Sequence, residues 1–142
     1  MPTVVTNYFK EQEGGQNVSV SGDNWICSLM DSYVSASLID TLKDHQLWSE
    51  AAVSGNEVSG TGYTSGTQLS NVGWFTDDTN NIQRLSASDI TFSNVTITSY
   101  GSCIWRLSDG LIMGFIDFGA AKITTNGNFT INWATGGILN KN

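Results

Sequence analysis

Apolar and polar residues alternate along much of the chain with a period of two, which is typical of strands with one buried face. Residues 129–133 are the clearest case, because Phe129, Ile131 and Trp133 are separated by polar residues. Trp25–Met30 is a short apolar run that suits a buried strand. Together with 129–133, strands are predicted at 68–75, 82–92, 95–107 and 111–123. This succession predicts an all-β fold, an antiparallel β-sandwich or barrel with one or two short helices.

Turn residues separate the predicted strands. Residues 77–81 are rich in Asp and Asn, and Asp109 with Gly110 marks a second turn. Asn126 and Gly127 form the dipeptide that most favours a two-residue β-hairpin. The pattern therefore predicts a hairpin at Asn126.

One segment has a helical period instead. Its apolar face is formed by Leu38, Leu42, His45, Trp48 and Ala52. Asp40 and Asp44 suit the early turns of a helix, and Gly55 suits its end. We predict a helix over about residues 39–52, or a looser helical turn there.

Residues 1–24 are predicted to form an N-terminal arm or edge segment, and residues 25–142 a single β domain. Within the arm, Val4, Val5, Tyr8 and Phe9 suit a short helix that ends before Gly14. The alternating positions at Val18 and Val20 predict a weak strand. The N-terminus lacks the basic start and apolar core expected of a signal peptide, and no stretch has the ~20 apolar residues of a membrane helix.

The low content and even spread of positive charge argue against two classes of binding partner. Charged residues are 13% of the chain, and the net charge is −7. The six cations are scattered rather than clustered on one segment. Phosphate recognition needs clustered Lys and Arg, so neither nucleic acid nor an anionic membrane is an expected partner.

No residue combination predicts an active site. His45 is the only histidine, and its apolar surroundings favour a packed, hydrogen-bonded ring over a general base. Cys27 and Cys103 lie in apolar runs and are expected to be buried free thiols, with an inter-strand disulfide as the alternative. No zinc site follows from one histidine and two distant cysteines. We therefore predict no enzyme and no catalytic, cofactor-binding or metal-binding residues.

Three other features suggest chemistry but have simpler explanations. Asp77 and Asp78 are expected to be solvated in a turn, although they could contribute to a calcium site. The glycines at 60, 62 and 66 are expected to serve turns, since no helix follows them as in a nucleotide-binding loop. The triplet 117–119 matches the Asp-Phe-Gly signature of kinases without its partner motifs, and is expected to be a strand end.

The chain resembles a family of small structural proteins of tailed-phage virions, because several short motifs occur in it in the same order as in that family. They are NEVSGTGY at 56–63, DITF at 89–92, GFIDFG at 114–119 and NGNFTINW at 126–133. A histidine-containing segment at 44–50 precedes them, and a Gly-Ile-Leu tail at 137–139 follows. The resemblance runs from about residue 25 to residue 139.

This resemblance implies a virion component assembled in the host cytoplasm. Family members carry labels such as decoration, head fibre or tail protein, and no family active site is implied. We expect a capsid decoration (cement) protein that binds the major capsid protein from outside as a homotrimer. Alternatives are a tail or head-to-tail connector component, and a glycan- or receptor-binding module. Contact material is expected in the 1–24 arm, the Gly-rich loop 54–67 and one or two of the five tryptophans.

Overall fold

The computed structural model describes residues 3–79, 82–132 and 139–141. Strands dominate, as the alternating sequence predicts, and the all-β antiparallel fold class is confirmed. The strands are β1 (Thr3–Val5), β2 (Trp25–Met30), β3 (Thr67–Gln68), β4 (Gly73–Asp77), β5 (Ile82–Ser86), β6 (Ile90–Arg106), β7 (Ile112–Ile131) and β8 (Leu139–Lys141). The helices are α1 (Asn7–Gly14), α2 (Ile39–Asp44) and α3 (Ala51–Ser54), and a 3₁₀ turn (Ala36–Leu38) precedes α2.

Two antiparallel sheets form from these strands. The larger has the order β1-β7-β6-β2-β3, and the smaller has the order β4-β5-β8. The long strands β6 and β7 are joined by a turn at Asp109 and Gly110, where Gly110 has φ +82°. The predicted turn at Asp109 is therefore confirmed. The turn between β4 and β5 includes Asp78 and Thr79, while Asn80 and Asn81 lie outside the described residues.

The N-terminal segment packs directly onto the large sheet. β1 pairs with β7 from Thr3↔Ile116 to Val5↔Gly114, which makes β1 an edge strand. The predicted short helix is present from Asn7 as α1, capped by Thr6, whose hydroxyl accepts the Phe9 N–H. Val4 and Val5, which were predicted to belong to it, lie in β1 instead. Phe9 is 1% exposed and meets Trp25 edge-on at a ring distance of 6.0 Å.

The weak strand predicted around Val18 and Val20 is absent, and this part of the chain forms loop and turn. Its contacts explain why. The Val20 carbonyl accepts the indole N–H of Trp25 at 3.0 Å, and the Val20 side chain is buried. Val18 packs against the same core as Val20, so core contacts and not strand pairing hold both side chains.

The helix predicted over residues 39–52 is wrong as a continuous element. α2 ends at Asp44, and α3 begins at Ala51. Between them the backbone pairs with the β6–β7 turn: Trp48 donates its N–H to the Gly110 carbonyl, and Gln46 accepts the Ile112 N–H. Trp48 also stacks on Trp105 at 5.1 Å with an interplanar angle of 4°. These tertiary contacts outweigh the helical period of the sequence.

The hairpin predicted at Asn126 and Gly127 is also wrong. β7 continues through both residues, and Gly127 pairs with Val95. Asn126 and Asn94, on facing strands, have φ values of 47° and 55° where the register shifts. Asparagine tolerates this left-handed conformation, so the Asn-Gly pair marks a β-bulge rather than a chain reversal.

The predicted strand over 68–75 is likewise divided. It comprises β3 and β4, and Asn71 between them has φ 55°. This second asparagine in the left-handed region separates two strands that belong to different sheets.

Side chains from the two faces of the large sheet enter two core clusters. Trp25, Cys27 and Leu29 belong to the larger cluster, and Met30 belongs to the smaller one. Cys103 also belongs to the smaller cluster, so the two thiols lie on opposite faces of adjacent strands. Both are free and fully buried. This arrangement is incompatible with the alternative of a disulfide between them.

No helix within the described residues is long and apolar enough to cross a membrane.

Candidate interaction surface

The long hairpin of β6 and β7 extends into a two-stranded ribbon. We define the ribbon as residues 90–99 of β6 and residues 122–131 of β7. Pairing runs from Ile90↔Ile131 to Ser99↔Lys122, with register shifts on either side of Val95. Threonine, isoleucine and phenylalanine are frequent in both strands and fit a pleated surface.

The inner face of the ribbon is covered on the β6 side. Phe92, Val95 and Ile97 are buried in the larger core cluster together with Val58 and Tyr63. On the β7 side the chain is much more open, since every residue from Asp117 to Asn128 is half-buried or exposed. The ribbon is therefore anchored through β6 and through Phe129 and Ile131 of β7, which are buried in the same cluster, while residues 117–128 of β7 are more open.

The outer face of the ribbon carries hydroxyl and amide groups. Thr91 and Thr130 are hydrogen-bonded across the strands at 2.9 Å. Thr96 donates to the side-chain oxygen of Asn126 and accepts its backbone N–H. Thr98 lies opposite Ile123, which is 72% exposed. One large aliphatic side chain thus protrudes from a polar surface.

Within the described residues, the outer edge of β7 is paired over only a short part of its length. β1 covers β7 from Gly114 to Ile116 only. Beyond Asp117, β6 is the one strand within residues 3–79, 82–132 and 139–141 that pairs with β7. Each strand in a sheet has two hydrogen-bonding sides, so the second side of this segment is unpaired by any described strand.

A groove of about 320 Å³ lies against β7. We call it the edge groove. It is lined by Phe118, Lys122, Thr124, Asn128, Phe129, Thr130, Ile131 and Asn132. Phe118 and Phe129 form its aromatic part, with ring centroids 6.0 Å apart. Among the described residues that line it, Lys122 carries the charge.

A second groove of about 400 Å³ lies between the ribbon and the segment around Glu57, and Thr124 lines both grooves. Its walls include Asp31 and Glu57 together with threonine hydroxyls and Ile123. Glu57 already accepts a hydrogen bond from the Tyr63 hydroxyl at 2.6 Å, and Tyr63 also accepts the Leu29 N–H. Burial and this carboxylate raise the pKa of Tyr63. The second groove is thus built around an internal structural contact.

The Gly-rich loop (residues 54–67) packs closely on the ribbon of the same chain, at Gly60 and Gly62. A Cβ at Gly60 would lie 2.1 Å from the Thr96 carbonyl oxygen. At Gly62, where φ is +82°, it would lie 2.2 Å from the Asn94 oxygen. The backbone of the loop comes so close to the backbone of β6 at these two positions that only glycine fits. Both contacts are within the chain.

His45 lies in a hydrogen-bonded chain with Tyr33 and Glu50. Its Nε2 is 2.7 Å from the Tyr33 hydroxyl, and its Nδ1 is 3.2 Å from Glu50 Oε1. The prediction of a packed, hydrogen-bonded histidine is confirmed.

Glu50 also accepts the backbone N–H groups of Gln46 and Leu47. Burial raises the pKa of the Glu50 carboxyl, but these donors and the His45 ring outweigh burial, so the net pKa is lowered. The cluster fixes the bend between α2 and α3.

The other sequence features are structural. The triplet at 117–119 was expected at a strand end but lies inside β7. Within it, the Asp117 side chain accepts the Gly119 N–H at 2.8 Å, and Gly119 has φ +83°. Asp77 ends β4, and Asp78 is in the following turn. In the described part of the chain, no group of three potential metal ligands is present.

Four of the five tryptophans are engaged within the fold, and none of these four is a free interface anchor. Trp25 is fully buried, Trp48 and Trp105 stack on each other, and Trp74 packs against the larger core cluster. Trp133 lies outside the described residues. Among the side chains that the structure describes, Leu107 and Ile123 are the exposed large hydrophobic ones. Sequence reasoning missed Ile123 because it placed residues 111–123 in a strand with a buried face.

Comparisons with protein-family models, curated proteins and solved structures give no match.

Proposed function

We propose that this chain is a structural protein of a tailed-phage virion, a decoration (cement) protein that binds the outer surface of the major capsid shell. The observation that carries the proposal is the ribbon with its open edge. An exposed strand edge beside an apolar groove is a feature that isolated domains usually protect, because it pairs readily with another chain. We therefore propose that the exposed edge of β7 contacts another protein chain in the assembled virion.

The motifs behind the family resemblance support the proposal because they meet at this ribbon. Phe92 of the DITF motif pairs with Phe129 of the NGNFTINW motif. Thr61 of the NEVSGTGY motif bridges to Thr96 on β6. The GFIDFG motif forms the part of β7 that changes from covered to open. Motifs that are distant in sequence therefore form one structural unit, as expected if they belong to one family fold.

The charge distribution also favours a binding module on a protein shell. The net charge of −7 keeps many copies soluble and disfavours duplex DNA as partner. We further propose that the protein acts as a homotrimer, because capsid subunits meet at three-fold and quasi-three-fold points that a closed ring would cover.

Capsid stability provides the test. Capsids assembled without this protein are incubated with purified protein and then heated, and the release of shell subunits is followed by light scattering. Binding to the assembled shell alone shifts dissociation to a higher temperature in proportion to occupancy. An unchanged dissociation temperature at saturating protein would contradict the proposal. Light scattering of the free protein tests the trimer separately.

A further inference from the structure

We propose that the Tyr33 hydroxyl is a nucleophilic modification site, which takes an acyl group from an activated acyl donor with an oxygen leaving group while His45 receives the hydroxyl proton. The basis is the chain of hydrogen bonds from Tyr33 through His45 to Glu50, in which a hydroxyl, an imidazole and a carboxylate follow one another. A nucleophile beside a base that a third group orients is the arrangement that activates hydroxyl groups for covalent chemistry. This site is independent of the proposed function and goes beyond it.

A tight turn after β2 positions Tyr33. The Asp31 side chain accepts the Tyr33 N–H at 2.9 Å, and the Asp31 carbonyl accepts the Val34 N–H at 3.3 Å. Val34 is buried in the smaller core cluster, and Tyr33 packs against the same cluster while it stays half-buried. The turn therefore fixes the Tyr33 ring on the core at a place that solvent still reaches.

The packing of His45 holds its ring nitrogen at the Tyr33 hydroxyl. His45 directly follows α2, and its ring meets the buried Phe115 edge-on at 6.3 Å. The His45 side chain is 12% exposed. Its Nε2 lies 2.7 Å from the Tyr33 hydroxyl oxygen, within the distance at which a general base takes a proton directly.

Glu50 determines which nitrogen of the His45 ring carries the proton. Its Oε2 accepts the N–H groups of Gln46 and Leu47 at 2.6 and 2.7 Å, and its Oε1 faces His45 Nδ1 at 3.2 Å. The net pKa of Glu50 is lowered, so at neutral pH it is a carboxylate, which can only accept. Nδ1 of the neutral ring therefore holds the proton, and Nε2 presents its lone pair to the Tyr33 hydroxyl. Glu50 is a positioning residue.

Tyr33 needs this base because it does not ionise readily by itself. Burial and the Glu50 charge raise the pKa of the Tyr33 hydroxyl. In the reaction, Tyr33 Oη forms a bond to the acyl carbon, and the bond from that carbon to the leaving oxygen breaks with its electron pair on the oxygen. The hydroxyl proton passes to His45 Nε2 and from there to the leaving group. The products are an aryl ester at Tyr33 and the released alcohol or acid.

The other tyrosines provide controls within the same molecule. His45 is the only histidine of the chain, so Tyr8, Tyr63 and Tyr100 have no imidazole as base. Tyr63 is 8% exposed and is expected to be protected by burial. Tyr8 and Tyr100 are half-buried, as Tyr33 is. A difference in reactivity between Tyr33 and these two therefore reports the base and not exposure.

Acetylation of the full-length protein tests the site. The probe is p-nitrophenyl acetate, an activated ester, and the acetyl group on each tyrosine is quantified over time by mass spectrometry of peptides. We expect Tyr33 to react at least about tenfold faster than Tyr8 and Tyr100, because a positioned general base accelerates such steps by about 10²–10⁴-fold. Equal rates at these three tyrosines would overturn the proposal. Acetyl groups on His45 but not on Tyr33 would also overturn it, since the imidazole would then be the nucleophile.

Three variants make the test specific. His45→Gln keeps a polar side chain beside Tyr33 but cannot take its proton, so the Tyr33 rate should fall at least about tenfold while the Tyr100 rate stays unchanged. Glu50→Gln should give a smaller loss of about threefold to tenfold, because the ring loses its orienting charge. Glu11→Gln, at an exposed carboxylate on α1, is the matched control and should react as the native protein does.

The pH profile separates a base from a residue that only shapes the turn. In the native protein the Tyr33 rate should level off between about pH 7.5 and 9, because proton transfer to His45 replaces ionisation of the phenol. In His45→Gln the Tyr33 rate should instead rise about tenfold per pH unit with the phenolate fraction. A tenfold rise per pH unit in the native protein would overturn the proposal even if a variant failed to fold.

Discussion

At the scale of single residues, buried polar side chains hold the N-terminal segment on the sheet. Thr6 is fully buried and donates its hydroxyl proton to the Ile112 carbonyl oxygen at 2.7 Å while it caps α1. Arg106 joins the loop before β2 to the β6–β7 turn through Asp23 and Asp109. These contacts depend on the fold, because their partners are distant in sequence. Sequence reasoning could therefore identify the apolar positions of the arm but not its anchors.

Replacing Thr6 by alanine should lower the free energy of unfolding by about 1–3 kcal/mol, because it removes a helix cap and leaves a buried carbonyl without its donor. Thr6→Ser keeps the hydroxyl and should recover most of this loss. Urea unfolding followed by tryptophan fluorescence measures both. Equal stability of Thr6→Ala and the native protein would show that the cap does not anchor the arm.

The Arg106–Asp109 contact should contribute to acid sensitivity. The hydrogen bonds from Arg106 lower the pKa of Asp109 below its usual value, so the contribution is complete above about pH 4 and is lost as pH falls through the folded-state pKa. The native protein should therefore lose more stability between pH 7 and pH 3 than Asp109→Asn. Denaturant unfolding at both pH values provides the comparison. Glu11→Gln, an exposed acidic residue on α1, should behave as the native protein does.

The two cysteines should be unreactive in the folded protein. Burial raises the pKa of Cys27 to about 12 and also raises that of Cys103, so neither forms the thiolate that alkylating reagents require. We expect no iodoacetamide adduct at pH 8 under native conditions and two adducts after denaturation without reductant. Mass spectrometry counts them. Absence of adducts after denaturation would indicate a disulfide and contradict the opposed placement of the thiols.

At the scale of elements, the sequence predicts the existence of strands better than their ends. The strand predicted over residues 95–107 is present, and β6 contains all of it except Leu107. The breaks were misjudged where asparagines with positive φ are accommodated inside a ladder, at Asn94 and Asn126. The helical period at 39–52 failed for another reason, namely that backbone pairing at Leu47 and Leu111 competes with helix formation.

The crossing of the Gly-rich loop over β6 provides a test at this scale. Gly60→Ala should destabilise the protein by about 1–3 kcal/mol, because its methyl group would overlap the Thr96 carbonyl and force the loop away. Gly14→Ala is the matched control, since nothing lies within 4 Å of a Cβ at that position. Thermal unfolding of the two variants should separate them clearly. A Gly60→Ala protein as stable as the control would contradict the close packing of loop and ribbon.

At the scale of the whole molecule, the fold class was predictable because it depends on alternation and turn composition, which are local properties. The candidate surface was not. Its open edge arises from the short reach of β1, which ends its pairing at Ile116 while β7 continues to Ile131. No local pattern records how many residues of one strand are covered by another.

The number of copies per virion tests the central claim most directly. Purified virions are digested, and peptides of this chain are quantified by mass spectrometry against those of the major capsid protein with isotope-labelled standards. A decoration protein at repeated capsid sites predicts hundreds of copies, in a fixed ratio to the shell subunit. About a dozen copies or fewer would contradict the account and indicate a tail or connector component of lower symmetry.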